Sequence, residues 1–177
     1  MKSKYSLLAG IMSGVIFAGA AQAAAVTDPQ IAAIVVTANQ VDIDAGKLAQ
    51  SKASSKEVKE FAERMVTDHT GVNKSATELV QRLKVTPEPN ATSQSLQKGG
   101  DENMAALKKL SGHEFDRAYI DHEVTYHAAV IDALDKTLIP SAQNAELKAL
   151  LVKVRPAFVA HLEHAKQLQS SLGKSGP

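Results

Sequence analysis

Apolar residues recur at three- and four-residue intervals along four long stretches of the chain, and no stretch shows the two-residue alternation of a half-buried strand. Ile31, Ile34, Val35, Ala38, Asp42, Ala45, Leu48 and Ala49 form the first stripe. It predicts a helix capped by Thr27 or Asp28, with Pro29 at its first position, running to about Ser51. Ser54-Ser55 with Glu57 and Val58 opens a second helix that reaches about Lys84 before Pro87 and Pro89 end it. Its stripe is Val58, Phe61, Met65, His69, Val72, Ala76, Leu79 and Leu83. The third helix is predicted over His113 to Leu138, with Phe115, Tyr119 or Ile120, Val124, His127, Ile131, Leu134 and Leu138 on one face and Pro140 beyond its end. The fourth runs from about Asn144 to Leu172, with Leu147, Leu151, Val154, Phe158, His161, Ala165 and Leu168 inward. Pro156 lies inside it and predicts a kink about a turn before His161.

The connections set the topology. The Ser51–Ser55 link is short, so helices one and two should lie antiparallel. Residues 85–112 are turn-rich in TPEPNATSQ, broken by Gly99-Gly100, and helical for a turn or two only over Asp101–Leu110. A linker of that length can run the whole length of a bundle, whereas a tight turn needs a few residues. The expected fold is therefore all-α: a ferritin-like four-helix bundle with a long crossover between helices two and three, in preference to a simple up-down-up-down bundle.

Composition narrows the compartment and the partners. Residues 1–23 begin with Lys2 and Lys4, continue through an apolar run too short to span a bilayer, and finish in Ala21-Gln22-Ala23. That is the pattern of a secretory signal peptide, cleaved near Ala23, and the mature domain of residues 24–177 is expected in the periplasm or secreted. With no cysteine the chain has no disulfide, thiolate ligand or lipid-modified cysteine. Twenty Lys and Arg stand against 19 Asp and Glu. Removing Lys2 and Lys4 leaves 18 against 19, a near-neutral balance that argues against a nucleic-acid partner. No later run is apolar enough to cross a membrane, so a homo-oligomer or another envelope protein is the expected kind of partner. Without tryptophan and with few aromatics, the core must be largely aliphatic.

Each of the four stripes carries one residue of metal-ligand type: Asp42, His69, His127 and His161. At ~1.5 Å rise per residue, Asp42 and His69 come within about one turn of the same depth, while His127 and His161 are mismatched by ~9 Å. Three imidazoles and a carboxylate suit one first-row transition ion, zinc, copper, nickel or iron. Asp68, Asp121, Glu123 and Tyr126 are candidates to hold the outer ring nitrogens, and His164, one turn after His161, is a reserve ligand. The alternative is that the histidines are core residues, each donating to a backbone carbonyl or a nearby acid. His113 reads as a surface or capping residue, and Asp44, Glu60, Glu63 and Glu78 as a solvated face.

Three blocks carry a family resemblance: VDIDAGKLAQSKASSKEVKEFAERMVTDHTGVN in helices one and two, SGHEFDRAYIDHEVTYHAAVI in helix three, and HLEHAKQL in helix four. In order and spacing they resemble the bacterial family known as domain of unknown function 4142, whose members are labelled predicted outer-membrane or periplasmic proteins similar in fold to ferritin. The resemblance implies roles for Asp42, Asp68 and His69, Phe115, Asp116 and His127, and His161 and Leu162, within a ferritin-like bundle that holds a metal site. Ferritin's own di-iron cage is missing, because its Glu-x-x-His repeat is replaced here by Glu63 with Val66, Glu123 with Tyr126, and Glu163 with Lys166. Two functions follow from the sequence. One is an envelope metal-handling or stress-tolerance protein binding a single ion, and the other is an envelope interaction or stress-protection module with structural histidines. An enzyme is the weakest reading: no nucleophile is paired with a base and there is no Gly-rich phosphate loop.

Overall fold

The computed structural model describes residues 25–174, and the expected leader over residues 1–23 lies outside them. Among the described residues every regular element is helical. Helix α1 (Asp28–Lys52) starts in a capping box, in which the Thr27 hydroxyl accepts the Gln30 N–H while the Gln30 side chain accepts the Thr27 N–H. Helix α2 (Lys56–Arg82) is capped by Ser55, which accepts the Val58 N–H. The turn between them is clamped from a distance of about sixty residues: the buried carboxylate of Asp116 accepts the Ser54 N–H at 2.9 Å and the Ser55 N–H at 2.8 Å. Asp116, one of the positions that carry the family resemblance, thus fastens the α1–α2 turn.

The expected loop after α2 is instead a third helix, α3 (Ala91–Leu107). Asn90 caps it by accepting from Thr92 and Ser93. Gly99 and Gly100 do not break it, because Gly100 is buried where α3 crosses α1; a Cβ there would stand 2.7 and 2.8 Å from the Val41 methyls. The glycine is a means of close approach. Asn90 donates to the Gln30 carbonyl at one end of α1, Gly100 meets Val41 in its middle, and Lys52 donates to the Lys108 carbonyl at the other end. These contacts advance together along both helices, so α3 runs parallel to α1.

Helix α4 (Gly112–Ala133) ends earlier than its stripe implies. It passes into a π-helical turn, Leu134–Leu138, and a short helix α5 (Ile139–Ser141) that contains Pro140, which the sequence placed beyond the helix end. Helix α6 (Ala145–Lys174) is uninterrupted through Pro156. The missing proline N–H leaves the Val152 carbonyl without its helical donor, at a residue 53% exposed, where water can serve it. Asp42 faces His69 across α1 and α2, and Gly46 lies against Ala62 and Val66, which makes those helices antiparallel. His127 beside His161 and Asp135 with Arg155 do the same for α4 with its π-turn against α6, as do Asp68 with His161 and Arg82 with Glu146 for α2 and α6. No helix among the described residues is long and apolar enough to cross a membrane.

The core is divided in two. One cluster gathers Ala45, Ala49, Phe61, Met65, Phe115, Tyr119 and Ala165; the other gathers Ile31, Ile34, Leu79, Leu134, Leu151 and Phe158. Asp42, His69, His127 and His161 each fall between the two clusters on α1, α2, α4 and α6 respectively.

Candidate metal centre

Asp42, His69, His127 and His161 are all buried in this layer, at exposures of 3% or less, and Glu123 is wholly buried beside them. Each side chain reaches inward because it occupies a core position of its helical stripe. The rings of His161 and His69, and of His161 and His127, are 5.3 Å apart, and those of His69 and His127 are 5.6 Å apart. One ring nitrogen from each of the three histidines lies within 4.8 Å of the other two.

The outer nitrogens are held. His69 Nδ1 donates to Asn39 Oδ1 at 2.6 Å, and Asn39 is itself oriented by its donation to the Val35 carbonyl at 2.7 Å. His127 Nδ1 donates to the Glu123 carbonyl at 3.1 Å, and His161 Nε2 donates to Asp68 at 2.8 Å. These bonds assign the tautomers, and they leave His69 Nε2, His127 Nε2 and His161 Nδ1 as inward lone pairs. None of the three inner nitrogens has a hydrogen-bond partner, nor does any oxygen of the Asp42 and Glu123 carboxyls. Asp42 Oδ2 nevertheless stands 3.1 Å from His69 Nε2 and 3.5 Å from His127 Nε2. With the carboxyls ionised, acceptors crowd here without inward donors.

Burial raises the Asp42 carboxyl well above its usual range; Glu123 adds to this and His127 opposes it. Burial alone pushes Glu123 up to about 8. It also depresses His69 strongly, with His127 and His161 contributing, and takes His161 down to about 4 against the opposing bond from Asp68. Burial therefore disfavours the charged forms of Asp42, Glu123, His69 and His161 unless an opposite charge enters the pocket. The donor set, imidazole nitrogen with carboxylate oxygen and no thiolate, matches first-row transition ions better than magnesium or calcium. A second overlapping group, Asp42, Glu123 and His127, brings Glu123 into ligand range as well.

The ~9 Å mismatch expected between His127 and His161 is closed by the π-turn and α5. His127 lies 14 residues before Ser141 and His161 lies 16 after Ala145, a difference of two residues or about 3 Å. Of the supporting candidates, Asp68 and Glu123 contact the histidines, and Tyr126 donates to the Ala38 carbonyl at 2.8 Å beside Asn39. Asp121 does not take part; it accepts from Gln169 at the surface. His164 is half-buried against the edge of Phe61, outside the constellation, and His113, in the first turn of α4, reaches the Leu172 carbonyl in the last turn of α6. Asn39 was not anticipated. Its signal was present, because it sits three residues before Asp42 within a run of apolar core positions.

The fold and this layer define a class: an all-helical domain with buried His, Asp and Glu groups that could hold a metal ion. Within it, the chain belongs to the family described as domain of unknown function (DUF4142), which matches residues 17–168. No curated protein and no solved structure matches.

Proposed function

We propose that the domain binds one transition-metal ion through His69 Nε2, His127 Nε2, His161 Nδ1 and the Asp42 carboxylate, and serves metal handling or stress tolerance in the cell envelope. The reading includes a ferritin-like four-helix bundle, with α3 as its long crossover, exported by a leader cleaved near Ala23. One observation carries it: three inward lone pairs and two carboxyls share a buried layer in which no hydrogen bond reaches them. Such a layer is unfavourable without a cation, since each unmatched buried acceptor costs ~1–3 kcal/mol. The three histidines converge on one another, and Asp42 joins them through His69 and His127. Nitrogen and oxygen ligands about 2.0–2.1 Å from a tetrahedral ion stand roughly 3.3 Å apart, and Asp42 Oδ2 is 3.1 and 3.5 Å from the two nearest ring nitrogens.

The test is elemental analysis of the chain purified from the periplasmic fraction without chelators, with His127→Ala alongside. The expected result is one first-row ion per chain in the wild type and background in the variant, together with a higher melting temperature when that ion is added back. A wild type at background, whose melting is unmoved by zinc, copper, nickel or ferrous ions, leaves the interaction-module reading in its place.

A further inference from the structure

An apolar cavity of about 130 Å³ adjoins the polar layer on the side of the Phe158 cluster. Its walls are aliphatic side chains from every long helix, including Ile34, Leu96, Leu134 and Val154, together with Phe158 and the rings of His69 and His127. Exposed Thr92 and Ala129 lie at its edge. The π-turn contributes Leu134 and Leu138, so the element that aligns His127 with His161 also shapes this space.

Size and lining select the occupant. At about 130 Å³ the space is near the ~150 Å³ of an engineered apolar cavity that stays dry and takes benzene or xenon. It falls well short of the ~300–1,000 Å³ of drug-sized ligand sites. Water finds almost no partners against such a wall, and a charged group none. The imidazole of His69 is stacked on Phe158 with 5.0 Å between centroids and 15° between planes, which gives the cavity a flat aromatic wall. Flat rings pack against such walls by offset or edge contacts.

We propose that this cavity is a binding site for a small uncharged apolar molecule, no larger than one aromatic ring, held against His69 and His127. This deepens the proposed function by naming the ligand class that would sit next to the ion, and only its second arm rests on that reading.

Benzene is the probe, followed by methyl and imidazole chemical shifts of the metal-free chain. The expected result is saturable binding, with shifts at the Ile34, Leu96, Leu134 and Val154 methyls and at the His69 and His127 rings. Val154→Phe and Ala133→Leu, each of which enlarges a wall residue that is not a candidate ligand, should each weaken binding at least tenfold. Absence of saturation in the wild type overturns the proposal, as does undiminished binding in both filled variants that retain the wild-type fold by circular dichroism. In the second arm the chain is loaded with Co²⁺, and bound benzene should relax faster than in the zinc form. Benzene that binds but is not relaxed by bound Co²⁺ overturns its placement beside the histidines. A chain that takes up benzene but no cobalt or zinc retires the metal reading and leaves the cavity assignment standing.

Discussion

At residue scale, the orientation of each imidazole depends on a neighbour that would never touch the ion. Asn39 fixes His69 through a 2.6 Å bond and is itself anchored to the Val35 carbonyl. Asn39→Leu keeps the volume and removes the acceptor, so metal affinity measured by competition with a chromophoric chelator should fall about 10–100-fold while helical content is unchanged. The carboxyls predict a pH response in the metal-free chain. Glu123 titrates near 8 when folded, above its ordinary range, so its neutral form favours the native state at low pH and that stability is lost as pH rises from about 4.5 through 8. His161 works in the opposite direction: depressed to about 4, it contributes stability above its ordinary value that is lost as pH falls from about 6.5 through 4. The melting temperature of the apo chain should therefore peak between roughly pH 5 and 6.5. Glu123→Gln, which cannot ionise, should flatten the alkaline limb in a calorimetric pH series, and an unchanged limb would mean that Glu123 is not the group responsible. Asp42, His69, His127 and His161 were legible in the sequence because a polar residue on an apolar stripe is conspicuous. Their supporting bonds were legible only in part. Asp68 is adjacent to a ligand in sequence, but Asn39 reaches His69 across thirty residues, and no periodicity reports contacts between helices.

At the scale of elements, the glycines show where sequence pattern misleads. Gly-Gly in a polar stretch reads as a breaker, because glycine costs a helix interior ~1 kcal/mol relative to alanine. In α3 only one of the pair behaves as an intrinsic penalty. Gly99 has nothing within 4 Å of where its Cβ would be, whereas Gly100 would drive a Cβ into both methyls of the stiff, branched Val41. Gly99→Ala should raise stability by up to ~1 kcal/mol, as should Gly71→Ala on the open face of α2. Gly100→Ala gains the same propensity but overpacks the α1–α3 contact, typically ~1–3 kcal/mol, so its net effect in urea denaturation should be destabilising. Equal behaviour of Gly99→Ala and Gly100→Ala would contradict this packing. The four long helices were predictable to within a few residues, since burial imposes the 3.6-residue repeat on them. Helix α3 is legible in the sequence only over its last turns, from Asp101, because it buries little beyond Ser93, Gly100 and Leu107 and so carries almost no stripe. The π-turn was missed for a different reason: Leu134 and Leu138 are spaced like any helical pair, and nothing in their identity signals a wider turn.

At the scale of the molecule, the layer couples four helices at one buried level, where elsewhere they are joined by apolar packing and by scattered hydrogen bonds and ion pairs such as Arg82 with Glu146. Asp42, His69, His127 and His161 come one each from α1, α2, α4 and α6, and the two apolar clusters meet at their level. An ion bound to all four would act on the native state alone, because the unfolded chain scatters the ligands over more than a hundred residues. Its stabilisation should then appear as a common rise in the free energy of the global opening rather than as a local tightening around one helix. Helix α3 supplies no ligand and rests on α1 and α4 from outside, held at its ends by Asn90 and Lys52. Native-state hydrogen exchange separates the two responses. On adding the ion, the slowest amides of α1, α2, α4 and α6 should gain protection by one common factor set by ion concentration over dissociation constant. Amides in α3 should exchange through a smaller opening whose rate the ion leaves unchanged. Protection confined to α2 and α6 would mean that the ion sits between His69 and His161 without spanning the core. Equal protection extending through α3 would mean that the crossover unfolds only with the rest of the molecule.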